Sequence, residues 1–159
     1  MKTLIAYATR YGSVASAVAK LVPLLDGDVE TARLGRDTVP DPEGFDRVLV
    51  GGSVYMGRVQ PEVERFCAEH RETLLRKRLA FFLCAGDEDE GKRREALSKK
   101  VPGDLLEHAS PLGWFGSEVH WEEMTWLHRL ALRMATGTKE SYSDLREGNI
   151  AAFAEAVRG

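Results

Sequence analysis

Apolar segments of strand length alternate with segments of helical periodicity along the 159 residues, and this alternation constrains the fold more than any other feature. Lys2 to Ala8 is an almost unbroken apolar run, as expected of a parallel strand buried on both faces. Val14, Ala15, Val18, Ala19, Val22 and Leu25 then recur at helical spacing, and Gly27 closes the segment in the manner of a helix C-terminus. Asp28 to Leu34 reads as a second strand, Asp46 to Gly52 as a buried third and Leu79 to Cys84 as a buried fourth. Pro61 sits where a helix starts, its missing N–H falling at an already unpaired position. Val63, Phe66, Cys67, His70 and Leu74 mark one face of that helix. Glu88 to Lys100 reads as a polar helix with its acidic residues first, Ala109 to Gly116 as a fifth strand. A last helix is expected to open at Ser143 or Asp144 and to bury Leu145, Ile150, Phe153, Ala154 and Val157.

Strand and helix in alternation, with short connections, define a doubly wound parallel sheet with helices on both faces. Right-handed crossovers leave few topologies, and five strands favour the order 2-1-3-4-5. In that order strands one and three are neighbours at the switch point, and the loops that follow them form the ligand crevice. The chain is short enough to be one domain, residues 1–159. Residues 117–138 fall outside this alternation and read as a helical insert before the last helix.

Composition narrows the function. A net charge of -3 gives no electrostatic footprint for nucleic acid. No run approaches the ~18 apolar residues needed to cross a bilayer, and the N-terminus lacks the small-residue cleavage site of a signal peptide. Cys67 and Cys84 form no CxxC pair and sit among apolar neighbours, as buried thiols of a reduced cytosolic protein do. His70, His108, His120 and His128 show no metal-ligand spacing and receive no role.

Two loops carry the chemistry. Thr9-Arg10-Tyr11-Gly12-Ser13-Val14 joins a buried strand to a helix N-terminus, which presents backbone N–H groups and a positive dipole end to an anion. Thr9 and Ser13 offer hydroxyl donors to phosphate oxygens, Gly12 permits close backbone approach, and Arg10 can add charge. Gly52-Ser53-Val54-Tyr55-Met56-Gly57 offers a backbone wall and an aromatic partner for a flat ring. Each loop alone has a plain reading, a helix cap and a packing tyrosine; together at the switch point they form a site. A dinucleotide fingerprint GxGxxG and a P-loop GxxxxGK[ST] are both missing. A phospho-receiver needs acidic residues where this chain has Thr9-Arg10 and Gly52-Ser53.

The opening MKTLIAYATRYGSV resembles the phosphate loop of the flavodoxin superfamily. More narrowly, the TRYGS turn, FDRVLVGGSVYMG, PEVERFCAEH, LHRLALRMATG and TKESYSDL are similar to the menaquinone-dependent protoporphyrinogen dehydrogenase family. The likeness covers most of the chain and implies a flavodoxin-like three-layer sandwich binding FMN. On that resemblance Thr9 to Val14 hold the phosphate, Ser53 to Gly57 line the ring, and Ala85, Gly86 and Asp87 lie on its far side. Val14 stands where a typical loop ends in threonine, which removes a hydroxyl and leaves the N–H. The third loop, Cys84 to Gly91, has no aromatic, so stacking is one-sided or completed by Trp114 or Trp121.

The resemblance implies an oxidoreductase passing electrons between a reduced organic substrate, of which protoporphyrinogen is one, and a quinone. The alternatives are a non-enzymatic electron shuttle and an interaction module without cofactor. No acid–base residue stands out. The run Asp87 to Glu90 suits the first turn of a helix; beside a flavin it also lowers the reduction potential. In the insert, Trp121, Met124, Leu127, Leu130, Ala131 and Met134 form a stripe. It packs on the domain or on a second copy, or lies at the inner face of a membrane near a quinone.

Overall fold

A computed structural model describes residues 1–119, 121–137 and 140–158. Its central sheet is built on parallel strands β1 (Lys2–Tyr7), β2 (Asp28–Arg33), β3 (Arg47–Tyr55), β5 (Arg78–Cys84) and β6 (Leu112–Trp114), in the order β2-β1-β3-β5-β6. This is the expected 2-1-3-4-5 order. A short strand β4 (Arg58–Val59) folds back antiparallel on β3.

Alternation within the strands assigns each side chain to a layer. Leu4 and Ala6 of β1, Val48 and Val50 of β3, and Phe81 and Leu83 of β5 enter one core. Ile5, Leu49, Ala80 and Phe82 point to the other. The first core is covered by α2 (Pro61–Glu69), α3 (Arg71–Leu75), α4 (Glu90–Ser98) and α5 (Gly103–His108) through Phe66, Leu74, Leu97 and Leu105. The second is covered by α1 (Ser13–Leu21) and α7 (Glu147–Arg158) through Val18, Leu21, Ile150 and Phe153. Full burial of one such side chain stabilises by about 1.5–3 kcal/mol, and both faces of the three central strands are covered. That is why those strands read as continuous apolar runs.

At the strand-start edge, Arg47 is 1% exposed. Its Nε donates to Thr3 Oγ1 at 2.8 Å, its Nη1 to the Val157 carbonyl at 2.8 Å, and its Nη2 to Asp26 at 3.1 Å. A buried guanidinium is tolerated because its donors are met in this way.

Several boundaries differ from expectation. The second helix breaks at His70 into α2 and α3. The polar helix begins at Glu90 rather than Glu88, because the Asp89 side chain caps it by accepting from the Gly91 and Lys92 N–H groups. The fifth strand shrinks to three residues because Gly103–His108 is helical and the Ala109 N–H still bonds Leu105. Ser143 and Asp144 do not cap a helix: they lie in β8 (Tyr142–Leu145), paired antiparallel with β7 (Gly116–Val119), and α7 starts at Glu147.

The insert is a helix framed by this two-stranded ribbon rather than helix throughout. Trp121–Glu123 is a single 3-10 turn and α6 spans Trp126–Thr136. Trp121 and Met124 are therefore not on the helix with the rest of the stripe, and Thr138, the expected end of the insert, lies outside the described residues. The remaining stripe faces outward: Leu127 is 58% exposed, Leu130 46% and Met134 79%. Among the described residues no helix is long and apolar enough to cross a membrane.

Candidate functional site

The end of β1 meets β3 in register, Tyr7 opposite Gly51, and the Ala8 N–H donates to the Gly51 carbonyl at 3.0 Å. The loop that leaves β1 therefore starts beside the last residues of β3, which runs on to Tyr55. In the first loop, the Thr9 hydroxyl oxygen accepts from the Gly12 N–H at 3.1 Å. Gly12 takes φ 93°, a left-handed conformation that glycine adopts at little cost. The turn ends there, and Ser16 makes the first bond of α1, to the Gly12 carbonyl. The N–H groups ahead of it lack helical acceptors, and no acidic residue occupies the first turn. The Val14 side chain is fully buried in the core, so position 14 offers its N–H and no side-chain contact. The arrangement can hold an anion.

In the second loop β3 continues through Ser53, Val54 and Tyr55, three residues further than expected. Met56 and Gly57 then form a two-residue hairpin turn, with φ 52° and 73°, the backbone that such turns require. Gln60 fixes Ser53 from both sides, accepting from its N–H at 2.9 Å and donating to its hydroxyl. Burial raises the Tyr55 phenol above its ordinary pKa, with Arg10 opposing. The Arg10 guanidinium lies 5.9 Å from the centroids of both Tyr11 and Tyr55.

The third loop, Ala85 to Glu88, follows β5. Its Ala85 N–H donates to Gly116 O at 2.8 Å. The Asp87 carboxylate accepts from the Asp89 N–H at 2.9 Å and pairs with Lys92 at 3.0 Å. These contacts, the backbone one foremost, hold its pKa below the usual carboxylate range. The acidic run is thus the cap and entry of α4.

Between the three loops opens a cavity of ≈ 620 Å³, within the range of small-molecule sites. Of the expected residues, Arg10, Tyr11, Ser13, Ser53, Val54, Tyr55, Ala85, Gly86 and Asp87 line it. Thr9, Gly12 and Val14 shape the first loop from behind. Met56 and Gly57 turn away on the hairpin, and Met56 borders a second cavity of ≈ 540 Å³ with Arg58, Lys100 and His128. Cys84, 2% exposed, borders the main cavity, and burial pushes its thiol up to about 12.

The proposed substitute aromatics do not reach the site. Trp114 donates its Nε1–H to the Ala85 carbonyl at 2.8 Å from behind the third loop, and Trp121 packs against Arg129. The aromatic that borders the cavity on this side is Tyr142 of β8, concealed in a polar stretch that reads as a helix cap. Met124, Leu132 and Thr136 complete a roof from the insert.

His128 was also beyond sequence reasoning. Its ring lies 4.5 Å from that of Tyr55 and 5.4 Å from that of Tyr11. A hydrogen bond joins its Nδ1 to the Tyr11 hydroxyl, and the Tyr55 hydroxyl donates to its carbonyl at 3.3 Å. Burial, and then Arg10, lower its pKa. The usable signal was its spacing of four residues from Leu132 and eight from Thr136, the face of α6 opposite the apolar stripe.

Fold and site together define an α/β protein of flavodoxin type, with a turn that can hold an anion and a cavity at the switch point bordered by the insert. The chain belongs to the flavodoxin-domain family, whose model matches residues 4–146. No curated protein matches it. Among solved structures it is similar to a short-chain flavodoxin associated with a PDU bacterial microcompartment (15% identity, 99% and 97% of the two chains, TM-score 0.63). It is likewise similar to a WrbA-like flavodoxin from Agrobacterium tumefaciens (13%, 99% and 95%, TM-score 0.58). A Fusobacterium nucleatum flavodoxin mutant bound to flavin mononucleotide gives 12% identity over 99% and 95% of the chains, with TM-score 0.55.

Proposed function

We propose that this protein binds FMN and acts as an oxidoreductase, passing electrons between a reduced organic substrate, with protoporphyrinogen a candidate, and a quinone. The phosphate would sit on the N–H groups that open α1, beside Ser13 and Arg10. The ring would lie between Ser53–Tyr55 and Ala85–Asp87. Bound there, FMN supplies the one- and two-electron chemistry that side chains lack. The residues position it, exclude water through Met124 and Leu132, and set the local charge.

The observation that carries the reading is the insert's share of the cavity. A half-open cavity bordered by Leu132, Thr136 and Tyr142 as well as by the three loops suits a small molecule that enters and reacts, whereas a shuttle needs its flavin edge open to a partner protein. The outward apolar face of α6, with Trp126 72% exposed, supports weak contact with a lipid surface carrying the quinone. That contact would put a cytoplasmic protein at the inner face of the membrane.

One observation favours the shuttle. Asp87, Glu88, Asp89 and Glu90 are all exposed beside the cavity and would suit docking to a basic redox partner. Adding FMN to the purified protein, removing the excess and recording the visible spectrum tests the common premise: a colourless product overturns both readings. Turnover of a porphyrinogen with a soluble quinone separates them, and a yellow protein that turns over neither is the shuttle.

A further inference from the structure

The third loop lacks an aromatic, is rich in carboxylates and contains Gly86, yet it is fixed from behind at three of its four residues. The Trp114 Nε1–H donates to the Ala85 carbonyl at 2.8 Å. Arg93 Nη1 donates to the Asp87 carbonyl at 3.2 Å. Arg146 Nη2 pairs with the Glu88 carboxylate at 3.0 Å. Those three anchors are themselves one unit, because the Arg93 guanidinium lies 4.9 Å and the Arg146 guanidinium 5.1 Å from the Trp114 ring centroid. They come from α4, β6 and the β8–α7 junction, so three separate elements converge on a four-residue loop.

Arg93 is the unusual member. It is 9% exposed, and its buried Nε, like that of Arg146, has no hydrogen-bond partner among the described residues. No carboxylate pairs with it among the described ion pairs, whereas Asp87 has Lys92 and Glu88 has Arg146. A guanidinium kept this dry, over an indole face and against one loop carbonyl, keeps its field in a medium that screens weakly.

We infer that Arg93, Trp114 and Arg146 are positioning residues: a clamp that holds Ala85–Glu88 against the cavity and sets the charge a bound flavin meets there. This rests on the FMN reading. The clamp does from behind what a stacking aromatic on the loop would do from the front. The Arg93 charge offsets the loop carboxylates, so that electrons added to the ring are less strongly disfavoured. Arg146 joins the clamp to the ribbon that carries Tyr142, and so links the loop to the roof.

The test has two arms. In protein without cofactor, Trp114→Leu should speed amide hydrogen exchange at Ala85 and Asp89, whose N–H groups are bonded to the Gly116 carbonyl and the Asp87 carboxylate, at least tenfold while β5 amides keep their protection. Arg146→Gln, a change at a half-exposed side chain, should do the same to a smaller degree. With FMN bound, Arg93→Met should weaken binding of the reduced relative to the oxidised cofactor by about tenfold, which is about 30 mV for a two-electron couple. Arg93→Lys, which keeps the charge, should stay within threefold of the parent. Unchanged loop exchange in both Trp114→Leu and Arg146→Gln overturns the clamp. An unchanged ratio in Arg93→Met, or an equal change in Arg93→Lys, overturns the electrostatic role. A parent that takes up no FMN overturns the functional proposal instead, and the exchange arm still reads the clamp.

Discussion

The His128 imidazole packs on the Tyr55 ring at 4.5 Å between centroids, tilted by 55°. Through this contact α6, which buries none of its own residues, is fastened to the wall of the cavity. The fastening should depend on pH. Burial and Arg10 depress the His128 pKa from 6.5, so the folded state favours the neutral ring. Its contribution is therefore fully present above about pH 6.5 and is lost as pH falls through that value toward the folded pKa. Amide protection in α6 should fall between roughly pH 7 and pH 5, and His128→Ala should lose that pH dependence. Equal protection at both ends of the range would remove His128 from this role.

Tyr55 supplies the aromatic wall of the proposed ring site. Aromatic stacking contributes about 0.5–1.5 kcal/mol beyond area burial, so Tyr55→Leu should raise the FMN Kd about 3- to 10-fold. Fluorescence quenching on titration measures it.

Cys67 is fully buried and Cys84 nearly so, and desolvation pushes both thiols up to about 12. A thiol needs its thiolate to react. At pH 8 the native protein should leave both unmodified by a colorimetric disulfide reagent, and denaturant should expose both.

Gly51 lies in the centre of the sheet, where an added Cβ would come within 2.1 Å of the Phe82 ring. That ring is stacked on Phe115 at 4.9 Å and has little room to yield. Gly51→Ala should cost about 1–3 kcal/mol by overpacking, read as a lower urea midpoint with an unchanged slope.

Trp126, Leu127, Leu130 and Met134 present an outward apolar face. On the quinone reading, the protein should co-sediment weakly with anionic lipid vesicles, and Leu127→Glu with Leu130→Glu should abolish it. No binding by the parent would count against a membrane quinone.

How much of this could be read from the chain depended on where each side chain points. Leu4 to Ala6 and Val48 to Val50 are buried on both faces, so strand and layer were evident from continuous apolar sequence, and the order followed from handedness. The first loop was legible because Gly12 and its hydroxyl neighbours sit at a strand-to-helix junction. The roof was not. Tyr142 to Leu145 mixes polar residues that resemble a cap, and only pairing with Ser117 and Glu118 makes it a strand. In α6 the apolar residues face outward, so of the readings that amphipathicity left open, packing of the stripe on the domain is the one the structure does not bear out. His128 has no periodic partner of its own kind, and its place depends on Tyr11, 117 residues away.

At the far edge of the sheet, Arg47 imposes an order on how the molecule is completed. Its partners Thr3 and Asp26 precede it in the chain, whereas Val157 comes last. Until α7 docks, the Arg47 Nη1 lacks the Val157 carbonyl and water must meet that donor. Detachment of α7 alone would therefore leave a hydrated cation under an otherwise paired sheet.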